Sequence, residues 1–332
     1  MSARSLRRAA LGATALLLAA AALTNAPAAA AEEKKGPATR TFEFTYEVTI
    51  TDVPAGKKAR VWLPLAASGD SQDVAVVSRR LPPDGKVGKD ALYGNAMEYF
   101  EAAAGPDGKI PLRVVYRVTR KEVRFAGLRE KPEKDALLKR FLQADRLGPL
   151  QGKHLDLVKG RKMPTEPVAA ARVLYDVIDE TMKYDKPDGQ PWGRGDVLWA
   201  CDSRFGNCSD FHGLFVALAR AQGIPAKFEC GFPIPAAHGS GAVGGYHCWA
   251  WFRAGERWVP VDISEANKDP ARKDYFFGNL DANRVGFTTG RDVELTPKQD
   301  GPPLNFFIFP YVEIDGKEHT RQVRKFAYRD VE

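Results

Sequence analysis

The sequence predicts an α+β protein, an N-terminal antiparallel β domain followed by an α+β domain built around a thiol. Three observations predict it. Between Thr41 and Phe125, runs such as TFEFTYEVTI alternate apolar with polar residues and are separated by Pro/Gly turns, the pattern of half-buried strands. From Phe211 to Leu218, apolar residues recur at helical spacing behind Asn207, a residue suited to capping a helix. After that helix, KFECGF, YHCWAWF and WVPVDI are short, β-branched and aromatic, and the last two are joined by a hairpin-sized link.

Taken in order, residues 1–31 carry Arg4, Arg7 and Arg8, an apolar run from Ala9 to Leu23, and Ala29-Ala30-Ala31 before Glu32. That is the layout of a cleaved secretory signal, and the run is shorter than the ~20 residues a membrane span needs. No cysteine stands at the cut, so a lipoprotein is not predicted. The expected location is secreted or periplasmic, with no membrane span in the mature chain. The formal charge of +7 falls to +4 without the three leader arginines, and no aromatic-interleaved basic motif is present, so nucleic acid is not an expected partner.

Residues 40–126 read as a sandwich-like β domain and 127–164 as a linker with one helix over EKDALLKRFLQADRL, in which His154 reads as a surface residue. Residues 165–275 form the α+β domain. Within it Pro167 opens a helix through Lys183 that packs behind the central one. The loop YDKPDGQPWGRGDVLWACDSRF leads into Gly206, and loops of that length inside a domain tend to be functional. Residues 276–332 are a β extension, either extending the sheet of the α+β domain or returning to the N-terminal one, with Pro310 favouring an edge.

The chemistry concentrates between Gly206 and Asp262. Cys208 is predicted to be the first residue of a helix capped by Asn207 and Asp210, where the dipole favours a thiolate. His247 on one strand and Asp262 at the end of the next can meet beside it. In those roles Cys208 attacks a carbonyl carbon, His247 pairs with the thiolate and protonates the leaving group, and Asp262 orients the imidazole. Tyr184, Trp192, Trp199 and Trp249 are candidates to line the acyl pocket, each also open to a plain packing role. His212, one turn after Cys208, is an alternative base or a locally bonded helix residue, and His238 lies in a Gly-rich loop that reads as a lid or as free surface. The four cysteines, Cys201, Cys208, Cys230 and Cys248, permit full disulfide pairing, or a Cys230–Cys248 bond that leaves Cys201 over. They lack the paired spacings of common zinc sites, so no metal is expected.

The blocks G-N-C-S-D-F-H, A-R-A-Q-G-I-P-A, Y-H-C-W-A-W-F and W-V-P-V-D resemble the core of the bacterial transglutaminase-like superfamily, which shares its Cys-His-Asp arrangement with papain-like peptidases. The resemblance implies a papain-like α+β fold and the roles already given to Cys208, His247 and Asp262. Animal transglutaminases place Trp after the nucleophile, whereas this chain has Ser209, a departure from protein cross-linking. The expected function is a secreted thiol acyl-transfer enzyme acting on protein or peptide amides through a thioester, peptidase or amidase ahead of transglutaminase, with no cofactor. The competing expectation is a non-enzymatic binding module with a silent or disulfide-bonded Cys208.

Overall fold

A computed structural model describes residues 37–331, which belong to one compact unit. The predicted leader, residues 1–31, lies outside the described residues. Six strands come first: β1 (Thr39–Ile50), β2 (Lys58–Pro64), β3 (Gln72–Arg80), β4 (Lys86–Lys89), β5 (Ala96–Ala103) and β6 (Ile110–Lys121). In β1 the period-two pattern does what strand geometry requires, burying Phe42, Phe44, Tyr46, Val48 and Ile50 on one face. Gly56, at φ 73°, supplies the left-handed residue of the turn into β2.

Helix α1 (Asp135–Arg140) is much shorter than the sequence predicts. The chain beyond it is committed to tertiary partners instead. Phe141 O accepts from Ala226 N at 3.0 Å, Gln143 O from Arg220 at 2.7 Å, and the buried Asp145 carboxylate meets Arg220 at 2.9 Å. His154 is the second departure: it lies in a short 3-10 helix (Lys153–Val158) and is fully buried, because that turn tucks under the protein rather than running over its surface. Helix α2 (Pro167–Thr181) begins as predicted, with Pro167 in its first turn and the Glu166 carboxylate accepting from Val168 N and Ala169 N at 3.0 and 2.7 Å.

Next come β7 (Lys183–Tyr184), α3 (Val197–Ser203), β8 (Phe205–Gly206), α4 (Cys208–Ala221), β9 (Ala226–Pro233), β10 (Ser240–Val243), β11 (His247–Ala254), β12 (Arg257–Val261), α5 (Ile263–Lys268) and β13 (Arg284–Thr289). The chain ends in β14 (Tyr311–Ile314), β15 (Lys317–Glu318) and β16 (Gln322–Asp330). One sheet runs β12-β11-β9-β13, and α2 and α4 lie against it. A second runs β10-β16-β1-β6-β3 and a third β15-β14-β2-β5-β4. The C-terminal segment therefore does both things foreseen for it: β13 extends the first sheet, and β14 and β16 return to β2 and β1. The edge position expected from Pro310 is not taken, since β14 lies between β15 and β2; Pro310 stands just before β14, where its missing N–H costs no ladder bond.

The segments assigned to an N-terminal domain, a linker and an α+β domain share one buried core. Its seam is aromatic. Phe232 of β9 lies 4.5 Å from Phe326, 5.0 Å from Phe44 and 5.2 Å from Phe287 between ring centroids. Burying each such side chain contributes about 1.5–3 kcal/mol, so the three sheets are held as one body.

Close packing at this seam depends on Gly231, where an added Cβ would lie 2.0 Å from Val285 O and 2.9 Å from the Trp249 ring. Gly231→Ala is expected to force β13 off β9 and to cost about 1–3 kcal/mol. Thermal unfolding checks this, and a melting temperature unchanged within about a degree contradicts it.

Candidate functional site

Helix α4 presents Cys208 at its first turn. Asn207 Oδ1 accepts from Ser209 N at 2.8 Å while Asp210 Oδ2 accepts from Asn207 N at 2.9 Å, so the cap is reciprocal. Asp210 also receives Gly193 N at 2.7 Å and Gly195 N at 3.0 Å, which ties the preceding loop to the same helix end. Gly195 sits at φ 60° within 2.9 Å of Ser209 O as measured from an added Cβ, so only glycine fits there. No hydrogen-bond partner among the described residues takes the Cys208 N–H, which leaves it free to face an oxyanion.

His247, the first residue of β11, and Asp262, just past β12, meet behind the thiol. His247 Nε2 lies 2.8 Å from Asp262 Oδ2, so Nδ1 is the nitrogen left for Cys208. Arg284 of β13 donates to the same carboxylate oxygen at 3.0 Å, while Asp262 Oδ1 accepts from Glu265 N at 3.2 Å and so caps α5. Burial opposes each charge, yet the His247 and Arg284 charges hold the Asp262 carboxyl far below its usual range. The His247 ring, pushed down by burial, is raised by Asp262 and Cys208 to about 10. Burial likewise pushes the Cys208 thiol up, but hydrogen bonds from Cys248 and His247 and the His247 charge bring it well below the ordinary thiol value. Both shifts favour the thiolate and imidazolium forms of the pair.

His212 does not compete as a base. Its Nε2 accepts from Ile263 N at 3.0 Å, so Nδ1–H donates to Cys208 O at 2.8 Å, and the ring rivets α4 to the start of α5. Burial lowers it to about 4. His247, Asp262 and Glu265 lie close enough to share a cation, but the Asp262 oxygen facing His247 is already met by the Arg284 guanidinium.

The four aromatic residues proposed for the acyl pocket divide. Tyr184 is half-buried beside the site, its phenol raised first by burial and then by the Cys208 charge. Trp192 is half-buried on the loop held by Asp210, its indole donating to Pro187 O at 2.9 Å. Trp199 of α3 packs edge-on to Phe205 of β8 at 5.4 Å and so joins that helix to the strand. Trp249 is fully buried, 5.9 Å from the His247 ring and 4.9 Å beneath the Arg284 guanidinium, so it supports His247 from behind and cannot line an open pocket. Sequence reasoning missed Arg284, which no motif marks, and Tyr246, whose hydroxyl lies 2.8 Å from Ser209 Oγ and 3.2 Å from Asn207 Nδ2.

All four cysteines are free, Cys230 and Cys248 included, although these two face each other across β9 and β11. The loop holding His238 is anchored rather than loose. Gly239 N and His238 Nδ1 bond Asp330 at 2.8 and 3.2 Å, Arg40 bridges Asp330 and Ala237 O, and the next residues form β10.

Residues 156–263 match the model of the Transglutaminase-like superfamily. The chain carries a transglutaminase-like domain. A solved structure of a candidate cysteine protease from Cytophaga hutchinsonii shares the fold with a TM-score of 0.58 at 16% identity, covering 89% of this chain and 92% of that one. An uncharacterized protein of Haemophilus influenzae is 28% identical over 324 residues, 83% of this chain and 86% of its own.

Because His212 is neutral when folded, its folded pKa of about 4 lies below the ordinary 6.5, and the folded state binds fewer protons in between. Its contribution is present above pH 6.5 and lost as pH falls toward 4, by about 3 kcal/mol at most. His212→Gln keeps an N–H donor and an acceptor without titrating. Denaturant unfolding at pH 7 and pH 4.5 is expected to show wild type losing more stability than the variant, and equal losses contradict this.

Proposed function

We propose that this protein is an exported thiol acyl-transfer enzyme that opens protein or peptide amide bonds through Cys208, His247 and Asp262. The observation that carries the reading is the buried run of alternating charge, Cys208 thiolate, His247 imidazolium, Asp262 carboxylate, at the start of a capped helix. The thiolate adds to the amide carbonyl carbon, and the oxyanion forms against the Cys208 N–H at the positive end of α4. Collapse expels the amine, which takes the proton from His247 Nδ1, and leaves a thioester. Neutral His247 then draws a proton from water as the water oxygen bonds to the thioester carbon, and the tetrahedral adduct collapses by breaking its C–S bond, so the acid leaves and Cys208 returns to thiolate. Asp262 holds the ring by Nε2 throughout, and Arg284 keeps Asp262 ionised.

Hydrolysis is favoured over transfer to an amine. Glu265, which lies 3.7 Å from His247, is engaged with Lys268, and Asp210 is engaged by backbone N–H groups, so neither is free to receive a lysine amine. Cys208 is 2% exposed and shares its surroundings with Tyr184 and Tyr246, whose phenols burial and its charge push up. The exported location rests on the leader-like residues 1–31.

Peptide-amide and glutamine-amide libraries, each with and without a primary amine, test the reading on the chain beginning at Glu32. Cys208→Ala and His247→Ala are each expected to lower kcat/KM by about 10³-fold or more and Asp262→Asn by about 10²-fold or more. Turnover that survives Cys208→Ala refutes the nucleophile and turns the search to a binding function.

A further inference from the structure

A groove of about 310 Å³ lies outside the Cys208 site, and no step of the proposed reaction uses it. Residues 302–312 form one wall, stiffened by Pro302, Pro303 and Pro310, and the chain from β15 into β16 forms the other. Its aromatic lining reaches the site through one residue. The Tyr246 ring lies 5.5 Å from Phe306 and 5.8 Å from Phe309 between centroids, while the Tyr246 hydroxyl lies 2.8 Å from Oγ of Ser209, the residue after Cys208. A polar link runs beside it: Asn305, also on the lining, donates to Arg194 O at 2.6 Å, on the loop that Asp210 ties to the start of α4.

The groove also holds a placed cation. The Arg324 guanidinium lies 3.7 Å from the centre of the Phe309 ring. Its Nε donates to Gln322 Oε1 at 3.3 Å, and Gln322 Nε2 donates in turn to Pro310 O at 2.8 Å, so both walls hold it in place. No carboxylate among the described residues pairs with it. Arg146, the other arginine of the lining, is spent on Asp292 at 2.9 Å, and the one carboxylate of the lining, Glu318, is exposed on β15. The same sign continues toward Cys208. Lys186 lies 5.9 Å from the Trp192 ring and Arg194 is exposed, and neither side chain has a carboxylate partner among the described residues.

We infer that this groove is a substrate subsite for an acidic side chain, so that the enzyme selects extended peptides carrying Glu or Asp at a distance from the amide that reacts. The inference rests on the reading of Cys208 as the nucleophile and adds the class of peptide. The bound chain runs from Cys208 past Tyr246 along the proline-stiffened wall, and its carboxylate accepts from the Arg324 nitrogens that Gln322 leaves open. An aromatic slot alone would take any apolar segment. The fixed cation makes the choice, because a neutral amide in the carboxylate's place forfeits a charge-assisted hydrogen bond and a basic chain meets Lys186, Arg194 and Arg324 with its own sign.

The test uses the full chain carrying Cys208→Ala, so that binding is read without turnover, and fluorescein-labelled alanine-based octapeptides blocked at both ends, with one Glu moved along the sequence. At the position that reaches Arg324, the Glu peptide is expected to bind about tenfold or more tightly than its Gln counterpart. Adding Arg324→Gln, an exposed change whose folding is checked by melting temperature, is expected to bring the two within about twofold. Equal affinity of Glu and Gln peptides at every position overturns the inference without reference to any groove variant. A preference that survives Arg324→Gln overturns it as well, and so does binding that requires an unblocked terminal carboxylate in place of the side chain. Hydrolysis of these peptides by wild type with no Glu preference overturns it while leaving the nucleophile reading intact. Arg324-dependent binding of the Glu peptide with no turnover of any peptide supports the acidic-peptide site and removes the nucleophile reading.

Discussion

An ionised carboxylate with no exposure to solvent, Asp262, sets the terms for everything around it. A charge removed from water is tolerated only where opposite charge and hydrogen bonds replace the lost hydration. Here they come from separate parts of the chain: His247 on β11, Arg284 on β13, and the Glu265 N–H at the start of α5. Arg284 is balanced in turn by Asp281 at 3.1 Å. The resulting sequence of signs, thiolate, imidazolium, carboxylate, guanidinium, carboxylate, fixes each group's protonation by its neighbours. In the proposed function, the Cys208 end of that sequence is therefore prepared before any substrate arrives.

Local signals were the legible ones. Asn207 and Asp210 mark their helix because a cap is written within four residues, and Pro167 marks its own for the same reason. The alternation in β1 and the order of Cys208, His247 and Asp262 were likewise readable. What escaped depends on contacts between distant segments. Arg284 has meaning only through Asp262, and His154 looked like a surface residue because a Lys- and Gly-rich stretch hides that its turn folds inward. Trp249 was read as pocket lining because a strand with both faces covered cannot be told from a half-exposed one by aromatic content alone.

Packing joins the site to the sandwich rather than leaving it on a separate lobe. Gln72 of β3 accepts from Gly286 N at 2.8 Å and donates to Gly286 O at 2.9 Å, pinning β13 to a strand of the second sheet. Arg284, two residues earlier on that strand, inherits its position from this clasp. The N-terminal strands thus contribute to the site's precision without placing a side chain in it.

The position of β16 has a consequence for how the molecule is made. It lies between β1 and β10, so the second sheet has a gap until β16 is in place. A nascent chain ending near Lys317 would hold two unpaired strand edges and an aromatic seam lacking Phe326. Completion of the sheet thus waits for a strand far along the chain from β1. Pairing of β1 with β16 is a contact of high sequence separation, which makes closure of this sheet a slow step of folding.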